Sequence, residues 1–284
     1  MRCLFVSDLH GSSGRYMQLF QQVDEKKPDA VFIGGDILPF NPFDHEKILE
    51  FIDDMLFKKI TFARRQLQKD IRFFIILGND DPRQYEQIFQ EAHNDGIIDY
   101  VHQTTVNFDT LYVSGYSFIP PTPFQLKDWE RYDVSQYVDV GSISPEQGTR
   151  TVDVPLHIIR SATIAEDIQN LSENVPVEKT IFLFHVPPYD TLLDRAALDN
   201  KSIEYAPFDV HIGSIAIKRF IQNKQPLLTL HGHVHESTTL TGHWKQQLGK
   251  TFSFNAAYEG IDLALIQFDT TSIKDATRTI IPIT

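Results

Sequence analysis

Five times in this chain an apolar run ends directly in a short polar motif, and that repetition limits the architecture more than any other feature. Asp8-Leu9-His10 follows Cys3-Leu4-Phe5-Val6, and Gly35-Asp36 follows Ala30-Val31-Phe32-Ile33. Gly78-Asn79-Asp80 follows Phe73-Phe74-Ile75-Ile76-Leu77, and His185 follows Ile181-Phe182-Leu183-Phe184. Gly232-His233-Val234-His235 comes last, after Leu227-Leu228-Thr229-Leu230. Short continuous apolar runs bounded by turn residues are the mark of strands buried on both faces. Side chains leaving the core at the carboxyl ends of such strands gather along one edge, where α/β proteins build their sites.

The bulk properties leave room for that arrangement. A chain of 284 residues, 42% apolar, can bury a full core. Its formal charge of −12 argues against a dedicated nucleic-acid surface. Cys3, the only cysteine, excludes a disulfide framework and a thiolate zinc site. No secretory leader fits ahead of residue 8, and no apolar stretch approaches the roughly 18 residues of a membrane helix. A cytoplasmic location with no membrane partner is the expectation.

The first thirty residues read as strand, helix, strand: an apolar run to Ser7, then Tyr16, Leu19, Phe20 and Val23 at helical spacing, then residues 30–34. Such a unit implies a parallel pair joined by a right-handed crossover. A proline-rich loop at 39–44 precedes a helical pattern running to about residue 69. Strands are expected at 72–77, 97–101, 104–108, 111–116, 179–184, 227–230, 238–240, 251–255 and 263–268. Helices are expected from Pro82 to about 93, at 163–171 and at 214–222. Without internal repeat or linker, residues 1–284 read as a single domain. Residues 120–148 are the irregular part, read as a surface excursion or as a flap over the substrate. Trp129 within it suits a small local core or a stacking platform.

The polar motifs carry the chemistry. In extended chain Asp8 and His10 point to the same side, so a carboxylate and an imidazole converge on one ion. Asp36 can place one oxygen on each of two ions. Gly232 suggests a turn that aims His233 and His235 at different ions, Asn79 offers a neutral carbonyl oxygen, and His185 an imidazole. Mixed oxygen and nitrogen donors suit manganese, iron, zinc or cobalt better than calcium or magnesium, with manganese favoured. Each motif alone has a bland reading as a turn or a core histidine; their joint occurrence in one order decides for metal. His231 precedes the last motif and either orients a ligand or is a plain strand residue. Asp80 either serves catalysis or caps the following helix.

Taken together, Asp8-Leu9-His10-Gly11, Gly35-Asp36, Gly78-Asn79-Asp80, His185 and Gly232-His233-Val234-His235 resemble the calcineurin-like metallophosphoesterase superfamily. The resemblance implies a four-layer αββα sandwich, two mixed sheets packed face to face with helices outside. It implies one metal on Asp8, His10, Asp36 and His235, and a second on Asp36, Asn79, His185 and His233, with Asp36 bridging. Many members have Gly-Asn-His where this chain has Gly-Asn-Asp, and many have Asp or Asn where it has Pro39. The Asp-Arg-Gly and Gly-Asn-His-Glu pattern of protein phosphatases is missing.

The resulting expectation is a phosphoric ester hydrolase with two divalent or trivalent transition-metal ions. A hydroxide bridging them attacks phosphorus in line, and Asp80, Asn79 and His231 are the further catalytic candidates. Small phosphate esters are the expected substrates, diesters or activated esters ahead of alkyl monoesters. The rival reading is a metal-retaining binding or scaffold protein on the same fold, with a nuclease as a third.

Overall fold

The computed structural model describes residues 1–39 and 44–283. The chain starts one sheet with β1 (Arg2–Val6), β2 (Ala30–Gly34), β3 (Arg72–Ile76) and β4 (Asp99–Tyr100), mutually parallel and adjacent in that order. It then crosses to a second sheet with β5 (Thr105–Phe108), β6 (Leu111–Tyr116) and β7 (Thr180–Phe184). A short hairpin, β8 (Ser202–Ile203) with β9 (Ala206–Pro207), stands apart before β10 (Leu228–His231), β11 (Lys245–Leu248) and β12 (Thr251–Asn255) complete that sheet. Finally β13 (Leu263–Asp269) and β14 (Thr277–Ile281) return antiparallel to the first sheet. The strand orders are β14-β13-β1-β2-β3-β4 and β11-β12-β10-β7-β6-β5, and each six-stranded sheet mixes parallel with antiparallel pairs. The expected α/β sandwich is the fold observed.

Alternation within the apolar runs explains the layers. In β1, Cys3 and Phe5 point between the sheets while Leu4 and Val6 point toward the helices. The same split puts Phe32, Phe74, Leu183, Leu230 and Phe254 into the inter-sheet core. Phe32 stacks on Phe74 at 4.9 Å, and Phe74 meets Phe108 of the other sheet edge-on at 5.0 Å. Outside lie α1 (Ser13–Lys26), α2 (His45–Phe51), α3 (Lys58–Leu67), α4 (Glu86–Asn94), α5 (Leu156–Ser161), α6 (Ile164–Ser172), α7 (Ile215–Lys224) and α8 (Ser237–Thr241). Among the described residues no helix is long and apolar enough to cross a membrane.

Several local expectations are corrected. The continuous helix expected to residue 69 is interrupted between α2 and α3 by a π-helical turn, Ile52–Phe57. Residues 238–240 belong to α8, not to a strand. Their threonines suggest β structure, yet Thr241 bonds back to the Ser237 carbonyl, and Gly242, at φ 73°, ends the turn. The strand expected at 97–101 shrinks to β4, and the 39–44 loop lies largely outside the described residues. β11 and β14, polar edge strands, and α5 carry no apolar run to announce them.

The irregular stretch 120–148 is fastened from inside. Trp129 is fully buried and its indole N–H donates to the Asp81 carbonyl at 2.7 Å, so it belongs to the local core. The ammonium of Lys127, also fully buried, donates to Glu130 at 2.6 Å and to the Thr122 carbonyl at 2.8 Å. Glu130 in turn accepts from the Thr122 backbone at 2.9 Å. Removing one partner leaves an uncompensated buried charge, which costs about 3–5 kcal/mol. Urea denaturation of Glu130→Ala should show a loss of that size, and the double variant Lys127→Met/Glu130→Leu should recover part of it. A single variant as stable as wild type contradicts this account.

Candidate metal centre

The polar motifs meet where the two sheets' carboxyl edges come together. Asp8, His10, Asp36 and His235 each offer a donor atom within 4.8 Å of the others, and Asp36, His185 and His233 do the same. Asp36 is common to both groups. The Asn79 side-chain oxygen lies 2.9 Å from His185 Nε2, which is itself 3.2 Å from an Asp36 carboxylate oxygen. His10 and His235 bring their Nε2 atoms to 3.2 Å, with Asp8 at 3.1 Å from His235. Two imidazole nitrogens facing each other beside buried carboxylates are the arrangement a cation resolves. The donor set, carboxylate and imidazole with one amide oxygen and no thiolate, fits a pair of transition-metal ions.

The geometry arises differently from the expected extended strand ends. β1 stops at Val6, and Asp8 and His10 take left-handed conformations with φ of 56° and 45°. Asp36, at φ 52°, and His233, at φ 69°, do likewise. Non-glycine residues there are strained, so the surroundings must hold them. Asp8 N donates to the Gly35 carbonyl at 2.9 Å and His10 N to the Asp36 carbonyl at 2.8 Å, zipping the two turns together. Arg15 of α1 donates to the Asp8 carbonyl at 2.6 Å and to the carbonyls of Gly260 and Ile261.

Glycines let the edges touch. A Cβ on Gly78 would come within 2.3 Å of an Asp36 oxygen, and one on Gly232 within 2.4 Å of an Asp8 oxygen. His233 N then donates to Asp8 at 3.0 Å. On the far side, the His185 Nδ1–H donates to the Gly34 carbonyl at 2.8 Å, which leaves Nε2 free as a donor to metal.

Asp81 reads in the sequence only as a helix start, and its carboxylate instead accepts from the backbone of Ile37, Leu38 and Gly78. Asp80 caps no helix. Its carboxylate accepts from Asn79 at 2.9 Å and lies 3.7 Å from His10, with the side chain 44% exposed toward solvent. His231 is the one candidate turned away. Its ring nitrogens bond the Val186 carbonyl at 2.9 Å and Thr229 at 2.8 Å, and burial pushes its pKa down to about 3. It is a neutral interior residue stacked on Phe184, which corrects its placement among the catalytic candidates.

Carboxylates and imidazoles of the cluster shift one another's proton affinity. Burial pushes the His185 imidazole down, but Asp36, Asp8 and the Gly34 carbonyl outweigh it and carry the pKa up to about 10. Burial likewise opposes His235, which Asp8 raises. Burial and the neighbouring charge of Asp36 lift Asp80 to about 6. Bound cations reverse these influences.

The family comparison agrees with this geometry. Residues 1–237 match the family described as Calcineurin-like phosphoesterase. Among solved structures, the chain is similar to the protein TT1561 of Thermus thermophilus, at 15% identity and a TM-score of 0.57, over 99% of each chain. It is also similar to a dimetal phosphatase from Danio rerio, at 11% identity and a TM-score of 0.51, over 100% of this chain and 99% of that one. At such identities the two structures speak for the fold. No curated protein matches the chain.

Metal binds neutral imidazole, so below about pH 10 loading must expel the His185 proton. Apparent affinity should therefore rise about tenfold per pH unit toward that value. Calorimetric titration of metal-free protein with Mn²⁺ at pH 7, in buffers of different ionisation enthalpy, should report release of about one proton or more. Heats independent of the buffer contradict the assignment.

Proposed function

The chain belongs to the calcineurin-like phosphoesterase family and is a metal-dependent phosphoesterase, and on that premise we propose a dinuclear hydrolase in which Asp36 bridges two transition-metal ions. The observation that carries this reading is the membership of Asp36 in both donor groups. Asp8, His10 and His235 complete one site; Asn79, His185 and His233 complete the other. We treat residues 1–284 as one catalytic domain, because β13 and β14 close the sheet that β1 opens.

Ions held by these residues would supply a metal-activated water and Lewis-acid stabilisation of the phosphoryl oxygens. The chain's own residues supply position. The Gly34 carbonyl fixes the tautomer of His185, and Asp81 pins the Asp36 turn to the Gly78 turn through three backbone N–H groups. Asp80 N donates to Asp36 at 2.8 Å, fixing the rotamer of the bridging carboxylate. Ligands held in this way keep the ions from reorganising during reaction.

At Asp80 the family commonly places a histidine, which donates to the leaving oxygen. A carboxylate facing the same point repels a departing alkoxide instead of protonating it. The reading therefore favours esters with good leaving groups, such as aryl diesters and activated esters, over alkyl monoesters. Manganese is the proposed metal.

The experiment is turnover of an aryl diester and an aryl monoester by metal-stripped protein reloaded with Mn²⁺. Activity should return with about two ions per chain, and Asp36→Asn should lose both ions and at least about 10³-fold in kcat/KM. Asp80→His should raise turnover of an alkyl ester relative to the aryl one. Metal-loaded protein that cleaves neither ester sinks the reading.

A further inference from the structure

The cleft leading from the metal edge encloses about 480 Å³, bordered there by Asp36, Asn79, Asp80, His233 and His235. That is the size of a pocket that holds an organic ligand, well beyond what one phosphoryl group fills. Away from the metal edge its wall carries an apolar surface built from Phe124, Val140, Leu198, Phe208 and Ile212. Phe208 packs on Gly141, and Phe124 stands at the rim with 58% of its surface exposed. The Lys127–Glu130–Thr122 clamp holds the segment that carries Phe124.

The charges of this wall are one-sided. Among the described residues no lysine or arginine lines the cleft, while Asp139, Asp209 and Glu236 do. The helix that follows Ile212 and Gly213 of the wall is already capped. At the start of α7 the N–H groups of Ile215 and Ala216 already donate to Asp133, at 2.6 and 3.2 Å. A second phosphate or a carboxylate on the substrate would meet these carboxylates, while of the donors in the wall His211 is engaged by Asp194 at 2.9 Å and the Thr122 hydroxyl by Glu130, which leaves the Ser142 hydroxyl to offset its desolvation.

Resting on the hydrolase reading above, we propose that this cleft is a specificity pocket for an uncharged, apolar organic group on the substrate phosphorus, and that it rejects esters whose organic part carries a further anion. Nucleotide polyphosphates and bisphosphates are thereby excluded as substrates. Aryl and alkyl esters whose only anion is the reacting phosphoryl group are admitted.

The test holds the leaving group constant. Methyl, phenyl and 4-carboxyphenyl 4-nitrophenyl phosphate diesters are compared by kcat/KM on Mn²⁺-loaded protein. In parallel, methyl-, phenyl- and 4-carboxyphenylphosphonate are compared by calorimetric affinity. The phenyl compounds should exceed the methyl ones about tenfold in both series, and the carboxyphenyl ones should fall about tenfold below phenyl. Phe124→Ala, an exposed position that the fold tolerates, should shrink the phenyl advantage; Asp139→Lys should restore much of the carboxyphenyl loss. Equal affinity for phenyl and methyl, or for phenyl and carboxyphenyl, overturns the pocket. Discriminating phosphonate binding without turnover of any diester overturns the hydrolase reading and leaves the pocket standing. Turnover of all three diesters at one rate does the reverse.

Discussion

The site depends on how closely two β-sheets approach at one edge. Asp36 leaves the first sheet after β2 and His185 leaves the second after β7, and their polar atoms lie 3.2 Å apart. Sheets packed face to face keep a spacing near 10 Å set by interdigitating side chains. Only where those side chains end can carboxylate and imidazole from opposite sheets share an ion. Gly78 and Gly232 stand at that end because a Cβ at either would strike a donor residue delivered by a different turn. The glycine of a metal motif here serves its neighbour's ligand more than its own.

Strain follows from the same requirement. Four of the candidate ligands, Asp8, His10, Asp36 and His233, sit at positive φ, at roughly 1–3 kcal/mol each. Such conformations persist because the surroundings over-determine them: the Asp8 and His10 turns bond the Asp36 turn strand to strand, Arg15 ties the first turn to Gly260, and Asp81 ties the second to Gly78. The sandwich supplies rigidity, and the turns spend part of it on aiming donors.

How much is legible in the sequence follows from this division. Strands buried on both faces are written as uninterrupted apolar runs, so β1, β2, β3, β7 and β10 can be placed well, and with them the motifs at their ends. Edge strands are not so written; β11, Lys-Gln-Gln-Leu, has no apolar run and escapes notice. The threonines of α8 mislead because a five-residue helix is set by its cap and its neighbours more than by propensity. Asp8 and His10 converge as expected, but through left-handed turns and not an extended chain, since spacing alone does not carry φ. His231 misleads through adjacency. A residue one step before a metal motif still lies in β10, where alternation points it to the helix side of the sheet, stacked on Phe184. Arg15 and the clamping role of Asp81 are invisible in the sequence because their partners are backbone groups, and Gly260, Ile37 and Leu38 among them lie far along the chain.

The candidate metal edge also sets imidazoles against its buried acids. Asp8 and Asp36 are buried within a few ångströms of each other, and two uncompensated carboxylates there would push the sheet edges apart. His185 and His235 face those carboxylates, which raise both imidazoles against the opposing effect of burial. A cation held there would meet the same carboxylates and so would take over the role of the imidazole protons. Behind that edge lies the inter-sheet core of Phe5, Phe32, Phe74, Phe254 and Phe268. That core and the hydrogen bonds between the turns together keep the strained donors aimed at one another.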